Sequence, residues 1–455
     1  MYFDTIVAIS TPIGEGAIGI IRMSGAEAFE IIDSIFKPFG KDPNEDKKMV
    51  YGWIMDGEEI LDEVLIVKMF GPRTYTKENV VEINCHGGLV PIRAILSLLL
   101  KKGARMAERG EFTKRAFLNG RIDLAQAESV MDLIGSKTKR GYDMAMNQLE
   151  GHLSKRVRTM RDAMMSLMAK VEVGIDYPEE DIEDITYKEI LDALSIVQKQ
   201  VATLLKSANN GKIIRDGLKT VIIGKPNVGK SSLMNALLKD SRAIVTDVPG
   251  TTRDVIEEYM NIAGIPIRLV DTAGIRVTDD VVEKIGVERS KISFNEADLV
   301  IFVLNASEPL SDEDLDLMEH VKNKHAIVII NKTDLEIKID ENEINRHLND
   351  KRIIKTSVEK EIGIDLVENA ISTMLLDDDL EINPSEIVSN TRHINHLELT
   401  HKNITDAMNA TSNHLPYDFI EVDVKEAILN LGHITGESVE EDLLNNIFGN
   451  FCLGK

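Results

Sequence analysis

The chain has 455 residues, 43% of them hydrophobic and 28% charged, and it carries a formal net charge of −23. Its length exceeds that of one ordinary domain, and this composition is that of a globular protein and excludes a disordered one. The negative charge also excludes a uniformly basic nucleic-acid-binding surface, although basic residues are locally enriched in residues 101–121 and 137–161. The simplest interpretation of these two stretches is solvated helix faces.

The N-terminal segment lacks the pattern of a secretory signal, because Asp4 and Glu15 interrupt the apolar stretch and no basic segment precedes it. The longest apolar runs are far shorter than a bilayer span. The cysteines Cys85 and Cys452 cannot form a disulfide framework. We therefore expect a protein of the reducing cytoplasm without a membrane segment.

The N-terminal part of the chain mixes short β-like runs with a helical stretch. The runs lie at residues 6–9, 18–22, 64–69 and 80–83, and the helical pattern covers residues 91–101. This mixture predicts an α+β domain over residues 1–118. From residue 119 to 216 apolar residues recur at helical spacing instead, with a helix break and a new helix start near residues 176–180.

Residues 217–376 alternate β-runs with helical patterns, which predicts a mostly parallel, doubly wound sheet. Helical periodicity returns in residues 377–455. We therefore predict one discontinuous all-α domain, 119–216 and 377–455, into which a Ras-like P-loop domain is inserted. Such an insertion costs little when both ends of the guest domain lie together at a surface.

Residues 224–231 fit the phosphate-binding loop pattern G-x-x-x-x-G-K-[ST], between an apolar strand at 220–223 and a helix at 232–238. Backbone N–H groups of such a loop surround phosphate oxygens at a helix N-terminus. Lys230 is expected to contact the β- and γ-phosphates, and the Ser231 hydroxyl is expected to ligate Mg²⁺. The predicted phosphate-binding residues are Asn227, Val228, Gly229, Lys230, Ser231 and Ser232.

Three further motifs indicate that the nucleotide is GTP. A β-run ends in a D-x-x-G motif, expected to contact Mg²⁺ through water and the γ-phosphate, whose residues are Asp271, Thr272, Ala273 and Gly274. A second β-run leads into N-K-x-D, where the Asp334 carboxylate can accept hydrogen bonds from guanine N1–H and its amino group, after Asn331 and Lys332. Ser357 and Val358 resemble the loop that contacts guanine O6, with Val in place of the usual Ala.

These motifs do not show which side chain orients the attacking water. Ras-like enzymes place a Gln after D-x-x-G to orient the attacking water, whereas this chain has Ile275. The acids that follow are candidates for that role: Asp279, Asp280 and Glu283. The positive charge of an arginine finger must come from Arg253, from Arg276 or from a bound monovalent cation.

Several motifs together resemble the MnmE (TrmE) family of tRNA-modification GTPases over the whole chain. They are Asn227 in the phosphate loop, the G-T-T-R-D sequence at 250–254, and the terminal F-C-L-G-K at 451–455. Residues 4–6, 18–25, 82–88 and 110–120 also resemble that family. The fold this implies is an aminomethyltransferase-like, folate-binding N-terminal domain, a helical domain and an inserted GTPase domain.

The resemblance implies a one-carbon folate site in the first domain, which would also dimerise the protein. The ligand would be 5-formyl-tetrahydrofolate or a related folate. The matching positions are Arg22, Glu82, Arg121 and Lys455. The family usually has Lys where Arg121 stands, which keeps the charge but changes the geometry of the contact.

The resemblance also implies that K⁺ stimulates GTP hydrolysis. Asn227, Thr246, Val248 and Thr251 match the K⁺ ligands, Thr252 matches a Mg²⁺ ligand, and Glu283 matches the acid that orients water. The whole first switch is expected to contact the nucleotide, through Thr246, Asp247, Val248, Pro249, Gly250, Thr251 and Thr252. The reaction would modify the wobble uridine of tRNA jointly with MnmG, an FAD protein.

Two hypotheses of different classes stay open on the sequence. The first is a tRNA-modifying enzyme in which GTP hydrolysis drives a conformational cycle. The second is a GTP-switch factor for ribosome assembly, of the Era or EngA type, which would share the Asn227 loop, but the chain lacks a G-x-x-G clamp in a basic setting.

The two cysteines also allow two interpretations each. Cys452 is either a chemically active thiol near the folate or a reduced structural one. Cys85 beside His86 resembles a nucleophile pair, although a structural role before the turn at residues 87–88 is simpler.

Overall fold

The computed structural model describes residues 4–40, 45–176, 186–240, 258–262, 264–269, 294–375 and 387–455. The chain divides into two compact units. The first contains Met1–Met131, Gln148–Ala193 and Asp406–Lys455, and the second contains Asp132–Asn147 and Leu194–Thr405. None of the described helices is both long and apolar enough to cross a membrane.

The strands of the described residues belong to two sheets. Those of the first unit are β1 (Ile6–Ile9), β2 (Ile18–Ser24), β3 (Phe36–Pro38), β4 (Met49–Asp56), β5 (Glu59–Met69), β6 (Val80–His86) and β7 (Arg105–Met106). Those of the second unit are β8 (Leu218–Ile223), β9 (Glu258–Ile262), β10 (Ile265–Leu269), β11 (Leu299–Asn305), β12 (Ala326–Asn331) and β13 (Arg352–Lys355).

The helices alternate with these strands and dominate the middle and the end of the chain. In chain order they are α1 (Ala28–Asp33), α2 (Leu89–Lys101), α3 (Glu111–Leu118), α4 (Leu124–Gly135), α5 (Lys139–Leu149), α6 (His152–Asp176), α7 (Tyr187–Lys206), α8 (Ala208–Asp216), α9 (Lys230–Asp240), α10 (Asp312–Val321), α11 (Glu341–His347), α12 (Ile364–Leu375), α13 (Thr391–Ser412), α14 (Tyr417–Thr435) and α15 (Glu441–Gly449).

The sheet of the first unit has the strand order β3-β4-β5-β6-β2-β1-β7. Its neighbours pair antiparallel except β1 and β7, which are parallel. Apolar residues of α1 and α2 join those of the strands in one buried cluster, for example Ile32, Ile95, Leu99, Ile21 and Ile83. This packing covers one face of the sheet, as expected for an α+β layer.

A partly buried ion network fastens α3 to the first residues of the chain. The Arg115 side chain is 1% exposed and donates hydrogen bonds to Asp4 (2.7 Å to Oδ1) and Glu111 (3.0 Å to Oε1), and it also pairs with Glu78 at 3.3 Å. Arg105 holds Asp4 and Glu111 as well, each at 2.6 Å. Burial alone would raise the pKa of Glu111, but hydrogen bonds from Arg105, from a backbone N–H and from Arg115 lower it.

The sheet of the second unit has the order β13-β12-β11-β8-β10-β9. All neighbouring pairs are parallel except β9 with β10. Strands β11 and β12 are buried along their whole length, and apolar clusters cover both faces. The doubly wound, mostly parallel sheet predicted for this region is therefore confirmed.

This topology places the loops after β8, β12 and β13 at the same edge, because neighbouring parallel strands end on one side of a sheet. Ligands of open α/β sheets bind in the crevice at that edge. The phosphate loop, the N-K-x-D motif and residues 356–358 all follow these strand ends.

Candidate functional site

The phosphate loop connects β8 to α9, which begins at Lys230. Gly224, Asn227 and Gly229 have positive φ values of 145°, 62° and 104°, so the loop takes a backbone conformation that favours glycine at three positions. A Cβ at Gly229 would lie 2.3 Å from Nδ2 of Asn331, so only glycine fits where the loop meets the N-K-x-D motif. The backbone N–H groups at the start of α9 are thereby arranged as in an anion-binding loop.

The Lys230 ammonium lies across this loop. Its Nζ donates hydrogen bonds to the carbonyl oxygens of Gly224 (2.7 Å) and Lys225 (2.6 Å). Burial lowers the pKa of Lys230, while the charge of Glu313 opposes this shift. A desolvated cation at a helix N-terminus is a strong attractor for phosphate oxygens.

The N-K-x-D motif braces the phosphate loop from the neighbouring strand end. Asn331 donates from Nδ2 to the carbonyl of Val228 (2.9 Å) and accepts at Oδ1 from the N–H of Val358 (3.2 Å). The Lys332 Nζ donates to the carbonyl of Asn227 at 2.7 Å. The side chains of Asn331 and Lys332 therefore hold three loops in one arrangement, by hydrogen bonds to backbone groups of those loops.

Asp334 lies beside the loop that follows β13. Its Oδ1 accepts a hydrogen bond of 2.5 Å from the Ser357 hydroxyl, and this bond lowers the pKa of Asp334. The carboxylate is therefore ionised at neutral pH and can accept the two N–H donors on the edge of guanine. The predicted residues Asn331, Lys332, Asp334, Ser357 and Val358 form one cluster with the phosphate loop.

One contributor to this site was missed in the sequence. Lys225 Nζ lies 2.6 Å from Oδ2 of Asp314 and 3.0 Å from Oγ of Ser311, which caps helix α10. The pair ties the phosphate loop to α10. The Ser311–Asp314 spacing is a capping-box signal for a helix start, but nothing in the sequence links it to Lys225.

The remaining predicted GTPase residues lie outside the described part of the chain. They are the first switch (Thr246, Asp247, Val248, Pro249, Gly250, Thr251 and Thr252), the D-x-x-G motif (Asp271, Thr272, Ala273 and Gly274), and Arg276 and Glu283. Ser231 and Ser232 are described and exposed in the first turn of α9.

A second cluster lies in the first unit, where β2 and β6 pair with Arg22 directly opposite Glu82. The guanidinium contacts Oε1 of Glu82 through Nη2 (2.7 Å) and Nε (2.8 Å). Both side chains are about one fifth to one quarter exposed (20% and 25%), so the pair is open to a ligand. A paired, half-buried Arg and Glu can offer both donors and acceptors to a planar polar ring.

The C-terminal segment closes this cluster. The Gly454 carbonyl accepts hydrogen bonds from the Ser10 hydroxyl (3.3 Å) and from Nη1 of Arg22 (3.4 Å). Gly454 has a φ of 84°, and a Cβ there would lie 2.4 Å from the carbonyl of Ile9. Phe451 anchors the segment in a buried cluster with Phe448. Lys455 follows Gly454 directly in the chain.

Arg121 is connected to Arg22 through aromatic rings. Its guanidinium lies 4.5 Å from the ring centroid of Tyr75, and that of Arg22 lies 5.9 Å from the ring of Phe112. Tyr75 packs against the cluster that contains Phe112. Of the four residues predicted for the folate site, Arg22 and Glu82 are paired on neighbouring strands, and Arg121 contacts Tyr75.

The two cysteines differ in their surroundings. Cys85 is buried in β6 and donates to the carbonyl of Gly19, and burial raises its pKa to about 11. Its thiol is therefore protonated at neutral pH, and the His86 ring contacts Asp62 instead. Cys452 is exposed, and its carbonyl accepts from the N–H of Gly110 at 3.4 Å.

Comparison with known proteins gives matches along the whole chain. A family profile described as the MnmE helical domain matches residues 124–452, and one described as the GTP-binding protein TrmE N-terminus matches residues 5–121. A curated relative from Alkaliphilus oremlandii, called tRNA modification GTPase MnmE, is 54% identical over 463 residues that cover 100% of both chains.

The chain belongs to the MnmE family of tRNA modification GTPases. MnmE proteins of Clostridioides difficile (53% identical, 99% of each chain) and Bacillus subtilis (51% identical, 99% of this chain and 100% of the relative) are similarly close. Its fold class is that of the family: a TrmE N-terminal domain, a helical domain and a Ras-like GTPase domain. GTP hydrolysis in tRNA modification is the activity of MnmE, and GTP with Mg²⁺ is what such a GTPase binds.

Among solved structures, the chain resembles the G domain of FeoB from Methanococcus jannaschii. The two are 27% identical, and the match covers 35% of this chain and 97% of the other at a TM-score of 0.26. A score this low adds nothing to the assignment, which depends on the full-length relatives.

Proposed function

We propose that this chain is a K⁺-stimulated GTPase that, with MnmG, adds an aminomethyl-type group to C5 of the tRNA wobble uridine, using a one-carbon folate. The observation that carries the proposal is the pairing of two sites in one chain. The cluster of Lys230, Asn331 and Asp334 suits a guanine nucleotide, and that of Arg22 and Glu82 suits a polar heterocycle.

For the GTPase step, Lys230 and Ser231 would hold the phosphates and Mg²⁺, with Thr252 as a further Mg²⁺ ligand. Asn227 would contribute its side chain to K⁺, together with Thr246, Val248 and Thr251. The described part of this set fits, because Asn227 is exposed on the phosphate loop and its backbone is fixed by Lys332. K⁺ supplies positive charge near the transferring phosphate, and Glu283 would orient the attacking water, with Arg276 as a second source of charge.

For the folate step, Arg22 and Glu82 would orient the pterin-type ring, while Arg121 and Lys455 would bind its anionic end. The geometry supports this division, because the carbonyl of Gly454 fixes the C-terminal segment against Arg22. The folate, when bound, supplies the one-carbon unit. The protein groups would hold and orient it.

Homodimerisation through the first unit is part of the proposal. Phe39 stacks on Tyr51 with ring centroids 4.7 Å apart and meets Trp53 edge-on at 4.4 Å. Phe39 and Tyr51 are about half exposed (48% and 47%), and Met49 is exposed beside them on β4. An exposed aromatic group of this kind marks a protein interface.

The test is GTP hydrolysis by the full chain in matched K⁺ and Na⁺ salts. We expect faster hydrolysis in K⁺ and loss of the reaction in Glu283→Ala, with GTP binding retained. Equal rates in the two salts would contradict the cation mechanism. Retained activity of Glu283→Ala would contradict the role of that acid.

A further inference from the structure

A large cavity in the described part of the second unit lies at the amino ends of its parallel strands. It measures about 1090 Å³ and is lined by the first residues of β8 and β11, by residues 323–325 before β12, and by α8. The nucleotide cluster lies at the carboxyl ends of the same strands. Strand β8 has six residues, so the two sites are roughly 20 Å apart. The cavity is therefore separate from the GTP site.

The lining of this cavity is basic, although the chain as a whole is acidic. Among the described residues that line it, six are Lys or Arg and three are Asp or Glu, a net formal charge of +3 in a chain of −23. The basic residues are Lys137, Lys212, Arg215, Lys219, Arg268 and Lys324. Such local contrast concentrates anionic ligands.

Carboxylates compensate only part of this charge. Arg215 pairs with Asp132 at 2.8 Å, and the Lys219 ammonium reaches Glu296 at 3.4 Å. Within the described ranges, no carboxylate pairs with Lys137 or with the exposed Lys212. These two lysines are available to a ligand's phosphate groups.

Residues that lie opposite one another on neighbouring strands add an aromatic ring to the basic lining. Arg268 on β10 lies opposite Lys219 on β8 and opposite Tyr259 on β9. Residues directly opposite on paired strands point to the same face of a sheet, so the three side chains form one row. Lys137 lies 5.7 Å from the centroid of the Tyr259 ring. Cationic side chains around an aromatic ring are the combination that binds a nucleotide, by its phosphate and by its base.

We propose that this cavity binds nucleotides of the tRNA, with Lys137 and Lys212 on the phosphates and Tyr259 against a base. The inference rests on the proposed function, which makes tRNA the substrate. The volume favours a nucleotide over a small inorganic anion, since it lies in the range of sites for ligands of that size or larger. The cavity would thus anchor RNA on the side of the GTPase domain opposite GTP.

The test is equilibrium binding of labelled tRNA to the full chain over a series of salt concentrations. The double variant Lys137→Ala/Lys212→Ala is compared with Lys188→Ala/Lys199→Ala, which removes two exposed lysines of α7 outside the cavity. We expect the cavity variant to lower the salt slope of the binding constant by about 1 for each phosphate that is no longer neutralised. At 0.15 M salt its affinity should fall about 10- to 30-fold. The α7 variant should match the wild type.

A second pair of variants tests the aromatic contact. Tyr259→Leu should weaken tRNA binding about fivefold or more without changing the salt slope. Tyr259→Phe keeps the aromatic ring and should bind tRNA as the wild type does. GTP hydrolysis should be unchanged in every variant, which also reports that each protein is folded.

The outcomes separate this inference from the proposed function. Wild-type affinity and slope in the cavity variant would overturn the cavity assignment alone. A wild-type chain that binds no tRNA would instead contradict the proposed function. Uridine monophosphate that binds saturably through Lys137 and Lys212, together with tRNA binding that the cavity variant leaves unchanged, would show a free nucleotide as the ligand and would overturn the RNA assignment.

Discussion

The Ser357 hydroxyl donates a 2.5 Å hydrogen bond to Oδ1 of Asp334, although the two residues follow different strands of the sheet. Asn331 joins the phosphate loop to the loop after β13, through its bonds to Val228 and Val358. The Asp334 carboxylate, which we propose recognises guanine, is thus held in place by the protein's own hydrogen bonds. A preorganised acceptor loses less entropy on binding and discriminates more sharply between bases.

Asp334→Asn should change the base that is recognised. The amide replaces one acceptor with a donor, so it mismatches the amino group of guanine but suits the C2 carbonyl of xanthine. We expect GTP affinity to fall about 10- to 100-fold and XTP affinity to rise, measured by nucleotide competition. Asp350→Asn, an exposed carboxylate beside Lys351, is the control and should leave both affinities unchanged. Unaltered GTP preference in Asp334→Asn would refute this role.

Asn227→Gly tests the role of the Asn227 side chain apart from that of its backbone conformation. Glycine adopts the φ of 62° without strain, so the phosphate loop keeps its shape. We expect GTP affinity to be retained while the rate in K⁺ falls to that in Na⁺, measured by phosphate release. A variant that stays K⁺-stimulated would exclude Asn227 as a cation ligand.

Gly454→Ala should release the C-terminal segment from the Arg22 cluster. The new Cβ would meet the Ile9 carbonyl in a left-handed backbone position. We expect binding of 5-formyl-tetrahydrofolate, measured by calorimetry, to weaken at least about tenfold, with GTP hydrolysis unchanged. Gly449→Ala is the matched control, because no atom lies within 4 Å of its added methyl. Equal folate binding in both variants would remove the C-terminal segment from the site.

Glu111→Gln should alter how the stability of the protein depends on pH. The folded-state pKa of Glu111 lies below its usual 4.5, so its stabilisation is complete above that pH and is lost as the pH falls through the folded pKa. At pH 7 we expect the variant to lose about 3 kcal/mol, because two buried or half-buried arginines lose their shared partner.

Denaturant unfolding at several pH values measures this effect. The difference between wild type and Glu111→Gln should shrink as the pH falls below about 4.5. Glu426→Gln, on an exposed position of α14, should follow the wild type throughout. A gap that is independent of pH would show that the charge of Glu111 does not matter.

Many of the helices and strands can be predicted from the local sequence pattern, but contacts between residues far apart in the chain cannot. The runs at residues 6–9 and 80–83 lie within β1 and β6, and the β-run that leads into N-K-x-D is β12, because each run is short and mostly apolar. Strand β4 was not predicted, since its outer residues such as Met49 and Tyr51 are exposed and break the alternation. The phosphate loop was predicted because its chemistry lies in one contiguous motif. The contact of Lys225 with Asp314 was not, because only the sheet topology brings them together.

The most direct measurement is mass spectrometry of tRNA nucleosides from a strain that lacks this gene, complemented with wild type or with Asp334→Asn. We predict that the modified wobble uridine disappears in the deletion strain, returns with wild type, and stays absent or reduced with the variant. Wobble uridines that are fully modified in the deletion strain would contradict the proposal that this GTPase acts in their modification.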